Sequence, residues 1–203
     1  MRVDLYTIIH KAQRFHLFRL GEAMGRADFG DEGTANAIAL QTRAWIAHLR
    51  DHASNEEKYI HPLLRDKAAP IEHEHHDLDA KLTALATILD QRRWSELYPC
   101  FTRFLGEYVL HLAEEERVQA EVLWPAYSDV ELGAVFNRFK AERAPQAARE
   151  DFELMLPAMS APELVRMFQG IKASAPPQAF QGACQTAARL VDERTWTEVQ
   201  RAM

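Results

Sequence analysis

The sequence predicts an all-α protein, an antiparallel up-down-up-down four-helix bundle followed by several short helices, and three observations predict it. Ala, Leu, Glu, Arg and Gln dominate, and alternating runs of β-branched residues are missing. Apolar residues recur at three-and-four spacing through four long stretches, the period of a helix that buries one face. Stop signals at Gly30, Pro62 and Pro70 fall between those stretches and Pro125 stops the last, so the connections are short and neighbouring helices are expected to run antiparallel.

The first helix is expected from about Asp4 to Arg26, with Asp28-Phe29-Gly30 as its stop. The second opens near Asp31 or Thr34, both good caps, and reaches His61, where Pro62 forbids continuation. The third begins after Pro70 and runs to about Gln91, and the fourth runs from about Ser95 to Trp124. Beyond Ser128, prolines at 145, 157, 162, 176 and 177 cut the chain into short segments, and Ser160-Ala161-Pro162-Glu163 has the form of a capping box. The expected organisation is a bundle over residues 1–126 and a helical extension over 127–203. The extension would pack on the bundle's open end or on a partner, with a homodimer as one outcome.

At 203 residues, 47% hydrophobic and 27% charged, the chain has enough apolar material for one well-filled core. Its 24 basic and 30 acidic residues give a net charge of -6 with no Lys/Arg block, which argues against nucleic acid and anionic membrane as partners. Asp4, His10 and Lys11 interrupt the N-terminal apolar run, so neither a signal peptide nor a spanning helix is expected, and a cytoplasmic location is. Two cysteines, Cys100 and Cys184, without CxxC spacing, offer no thiolate zinc site. Nine histidines are many for this length.

Polar residues interrupt the apolar stripes at matching places. In the first helix the stripe reads Tyr6, His10, Gln13, Leu17, Leu20, Met24, and in the second Ile38, Trp45, Leu49, His52, Glu56, Tyr59. The third reads Ile71, His75, Leu78, Leu82, Leu85, Leu89, and the fourth Phe104, Tyr108, His111, Glu115, Val118, Val122. Histidine and glutamate four residues apart lie one turn, about 6 Å, from each other on one helix face. A carboxylate can bridge two ions while a neutral imidazole gives one fixed donor, so two HxxxE pairs with two further histidines can hold a dinuclear metal centre. Buried without metal, each unpaired group would cost a few kcal/mol. His48, one turn before His52, and Asp79, one turn after His75, are secondary candidates, as is His76, which points away from the stripe's centre. His61, before Pro62, reads as a structural residue at a helix end. Glu72, Glu74 and Glu114 are candidates for orienting a ligating histidine from outside.

His10, then HASNE from His52 to Glu56, EHHDLD from Glu74 to Asp79 and HLAEE from His111, together resemble the hemerythrin or HHE cation-binding family over roughly the first 125 residues. The resemblance implies a non-haem centre of two iron ions, an Fe-O-Fe type site, bridged by Glu56 and Glu115 and by an oxo or hydroxo group. His10, His52, His75 and His111 would be the terminal ligands, with zinc or manganese as substitute ions. Oxygen-carrying members have a second histidine where this chain has Asp79, and HxxxxD where it has HxxxE. The function this implies is binding or sensing of a small molecule such as oxygen, nitric oxide or peroxide. A metal-responsive regulatory module and a zinc-filled structural site are the alternatives. No nucleophile paired with a base and no phosphate-cradling Gly loop is present, so hydrolytic catalysis is not expected.

Overall fold

The computed structural model describes residues 2–203, and among these every regular element is helical. The four long helices are α1 (Thr7–Arg26), α2 (Glu32–Tyr59), α3 (Ala68–Asp90) and α4 (Trp94–Val118). The shorter ones are α5 (Asp129–Glu142), α6 (Pro145–Met155), α7 (Ala161–Ser174), α8 (Pro177–Leu190) and α9 (Glu193–Ala202).

Local chemistry explains most boundaries. The Asp31 carboxylate accepts from Thr34 N at 2.7 Å and starts α2, as its sequence announces. Pro70 falls in the first turn of α3, where a missing N–H leaves no carbonyl unpaired, so that helix starts two residues before the proline and not after it. Ser160 and Glu163 form the expected capping box at the start of α7. The fourth helix departs from expectation at its end. After Val118 the chain takes a wide π-helical turn over Gln119–Leu123, closed by Trp124 N donating to Gln119 O, before the short Trp124–Ala126 turn.

The chain forms two compact units. One contains residues 2–6 and 16–142; the other contains Thr7–Phe15 and Arg143–Met203. In the first, α3 packs along α4 and α2 packs along α3. Two apolar clusters fill it. The larger joins Leu17, Leu20 and Met24 to Leu49, Leu78, Leu82, Leu85, Phe101, Phe104 and Leu112. The smaller joins Tyr6, Tyr59, Leu64, Ile71, Val118, Leu123 and Leu132. Each fully buried Leu or Phe in them contributes about 1.5–3 kcal/mol through apolar surface withdrawn from water. Along every chain segment that crosses from one cluster to the other, polar residues occupy the interval: His52 and Glu56 between Leu49 and Tyr59, His75 between Ile71 and Leu78, Glu115 between Leu112 and Val118.

In the second unit, α6 to α9 and residues 7–15 enclose their own core. Phe168 is fully buried and meets Trp196 edge-on, with ring centroids 5.0 Å apart, among Leu156, Leu164 and Val199. Ile8 packs against this cluster and Lys11 pairs with Glu163 at 2.5 Å. Arg143 grips Asp151 through two hydrogen bonds of 2.8 and 3.0 Å. Among the described residues no helix is long and apolar enough to cross a membrane.

Candidate metal centre

The HxxxE pair of α2 places His52 Nε2 3.0 Å from Glu56 Oε1, and the pair of α4 places His111 Nε2 3.2 Å from Glu115 Oε1. One turn of helix brings each imidazole over its own carboxylate. His75 of α3 stands between the two pairs, its Nε2 3.5 Å from Glu56 Oε2 and 3.3 Å from Glu115 Oε1. Glu115 is wholly buried and Glu56 almost so, at 3% exposure. Three helices thus bring two carboxylates and three imidazoles into one layer.

A further histidine enters from an unexpected place. His61 follows the end of α2 in a short turn (His61–Leu64), is 3% exposed, and stacks on His75 with ring centroids 5.1 Å apart. Ligand atoms of His61, His75 and Glu115 all lie within 4.8 Å of one another, as do those of His52, Glu56 and Glu115. Glu115 belongs to both sets. Two atoms bound to one ion at about 2.1 Å stand within about 4.2 Å of each other, so a small inward adjustment closes either set on an ion.

Carboxylates outside the layer hold the rings. His111 Nδ1 donates to Glu74 Oε2 at 2.8 Å, and His75 Nδ1 donates to Glu57 Oε1 at 3.1 Å. A carboxylate can only accept, so each outer contact keeps a proton on Nδ1 and leaves Nε2 as the inward donor atom.

The charges of the layer are interlocked. Burial works against a charged His75, but its hydrogen bonds to Glu115 and Glu56 and their charges outweigh that and push it up to about 10. The same contest, burial against Glu115 and Glu74, leaves His111 above its ordinary value. For Glu115, burial and the charge of Glu56 act upward, and the hydrogen bonds from His111 and His75 hold it below the usual range. His61 goes the other way: burial, then the charge of His75, pushes it down and keeps the ring neutral. Tyr6 is driven well up by burial and then by Glu56 and Glu115, which makes it a neutral phenol beside the layer.

Of the residues singled out in the sequence, His52, Glu56, His75, His111 and Glu115 come together. His10 is fully buried on the stripe of α1, one turn after buried Tyr6 and two turns before buried Leu17. The secondary candidates are in neither set of ligand atoms. The Asp79 carboxylate is about half exposed and accepts from Arg50 Nε at 2.6 Å. His76 is exposed, and His48 meets the Trp45 ring edge-on at 5.0 Å. Glu74 does orient a histidine, whereas Glu114 pairs with Arg117. His61, a structural residue by its place at a helix end, and Glu57 come beside the layer unannounced by the helical period: a histidine immediately before the proline that ends α2 is the sequence signal for the first, and the second glutamate of Glu56-Glu57 for the second.

A family model, the hemerythrin HHE cation-binding domain, matches residues 1–123, more than half of the chain. The chain belongs to that family. No curated protein and no solved structure matches it. The donor set fits the cation binding that the family's description names: buried carboxylate oxygens and imidazole nitrogens, with no thiolate among them, suit iron, zinc or manganese. This hemerythrin-like chain therefore has a His/Glu cluster able to hold a metal ion.

Proposed function

We propose that this hemerythrin-like protein holds two iron ions in the layer and uses them to bind or sense a small molecule such as oxygen, nitric oxide or peroxide. The observation that carries the reading is that Glu115 is shared by two sets of ligand atoms, His52 with Glu56 on one side and His61 with His75 on the other. A carboxylate common to two sets is what a pair of ions requires. In this reading Glu56 and Glu115 bridge, and His52, His75 and His111 are terminal ligands. His10, fully buried on the stripe of α1, is the further imidazole that the family resemblance offers.

The bound iron pair would supply an open coordination position and electrons for a small oxidant. The protein's own residues do the rest. Glu74 and Glu57 fix the ring orientations of His111 and His75. The apolar clusters on both sides of the layer exclude bulk water, which strengthens every ion–ligand contact inside. Asp79, turned toward Arg50, supplies no imidazole where oxygen carriers have one, so sensing or reduction fits this chain better than reversible carriage.

Anaerobic reconstitution with ferrous iron tests this. Two ions per chain are expected, with near-ultraviolet absorption appearing on exposure to oxygen and shifting when nitric oxide or peroxide is added. Uptake of fewer than two ions, or a spectrum indifferent to all three molecules, would sink the proposal. Burial of the layer favours one second reading, in which metal occupancy itself is the signal, because filling a buried polar site adds folding free energy. Equal protease sensitivity of metal-free and loaded protein would exclude it.

A further inference from the structure

We propose that His61 is itself a metal ligand, a fifth imidazole delivered by the turn after α2 in place of the one that Asp79 leaves out of α3. The inference rests on the dinuclear reading above.

The backbone break at the end of α2 is what puts the ring there. On an unbroken α2, His61 would lie five residues beyond Glu56, about 140° around the helix from it, facing away from the layer. Pro62 cannot donate to the carbonyl four residues earlier, so α2 closes with Ile60 N donating to Glu56 O at 2.8 Å and the chain turns. The turn is anchored by groups that owe nothing to metal. Leu64 is buried in the smaller apolar cluster, and Tyr127 Oη donates to Leu63 O at 3.0 Å.

Once turned, the ring has no other evident occupation. Both ring nitrogens are buried and neither makes a hydrogen bond. The nearest outer carboxylate, Glu72 Oε1, is 3.5 Å from Nδ1, too far and poorly aligned to serve. A buried imidazole left in that state costs about 1–3 kcal/mol, a penalty that a structural role would be expected to relieve with a hydrogen bond. Instead the ring lies against His75, 27° from parallel, with a nitrogen within 4.8 Å of both His75 and Glu115. His61, His75 and Glu115 would then supply three ligand atoms to the second ion.

The experiment compares the full-length wild type, His61→Ala and His76→Ala, the last removing an exposed histidine. Each is titrated with ferrous iron under anaerobic conditions, with bound metal measured after dialysis and the metal-free fold checked by circular dichroism. The wild type and His76→Ala are expected to hold two ions. His61→Ala should keep one and lose affinity for the other by at least about a hundredfold, the upper end of what deleting an outer-sphere partner does. Free imidazole should restore the second ion by entering the vacated space. Two ions bound by His61→Ala with wild-type affinity and spectrum overturn the inference while leaving the dinuclear reading intact. A wild type that binds fewer than two ions removes both, and does so before any variant is made. Should His61→Ala fail to fold, iron-edge X-ray absorption of the wild type decides: imidazole scattering from five rings over two ions is expected, and from four or fewer is contrary.

Discussion

The larger apolar cluster and the polar layer beside it are built on the same helices, one turn apart, and are held by opposite physics. Around Leu82, Leu85 and Phe104 every side chain gains by leaving water, and the packing needs nothing from outside the chain. In the layer, Glu56, Glu115, His75 and His111 lose hydration and are compensated by charged and polar partners, one another and the outer carboxylates Glu57 and Glu74. The difference teaches that the bundle's stability and its chemistry are separable. A substitution in one region should leave the other's property largely alone.

The largest effect should come from emptying the apolar cluster. Phe104→Ala is expected to cost about 3–5 kcal/mol in denaturant unfolding of both metal-free and loaded protein, while iron stoichiometry in the folded fraction stays at the wild-type value. Loss of metal without loss of stability would break the separation. Glu74→Ala tests the other side. Without the carboxylate that His111 Nδ1 donates to, the ring loses its orientation, and iron affinity should fall by about 10- to 100-fold. Metal-free stability should move far less, since Glu74 is partly exposed and its contact is screened by solvent.

The smallest and most diagnostic effect is in pH. The folded, metal-free protein holds a proton on His75 up to about pH 10, against an ordinary value of 6.5. A group raised on folding contributes stability that is fully present below about 6.5 and disappears as pH climbs through the folded value. Metal-free unfolding free energy should therefore carry a declining component between those limits. Metal demands the neutral ring, so iron binding must expel that proton, and affinity should rise by roughly tenfold per pH unit over the same window. Calorimetric titrations in buffers of different ionisation enthalpy would count the proton. An affinity flat with pH would show that the His75–carboxylate pairing is absent in solution.

Most of the fold and much of the layer are legible in the sequence because both follow from helical period. The complete stripe of α1, from Tyr6 through His10 and Gln13 to Met24, is buried as the spacing requires, and so is that of α3. HxxxE announces itself because one turn is a fixed distance. What could not be read is what depends on breaks in that period. His61 is invisible to a periodic argument because its ring reaches His75 only after the chain leaves α2. Asp79 sits one turn from His75 and looks available, yet Arg50, far away in sequence, takes its carboxylate. Glu57 follows Glu56 directly and would be assigned to solvent, where a neighbouring helix offers it His75.

The wide turn over Gln119–Leu123 carries its own consequence. By admitting one residue more than an α-turn, it shifts the register by about 100°, so that Leu123 is buried where uninterrupted spacing would have chosen Val122. Gln119 is also turned to accept from Leu5 N at 2.7 Å and donate to Asp4 Oδ1 at 3.0 Å, tying down the strand of chain that leads into Tyr6. Deleting a single residue here would let the helix run straight and turn the Trp124–Ala126 segment to a new heading: a one-residue change, harmless in most surface loops, would at this one spot pull Leu123 out of its seat.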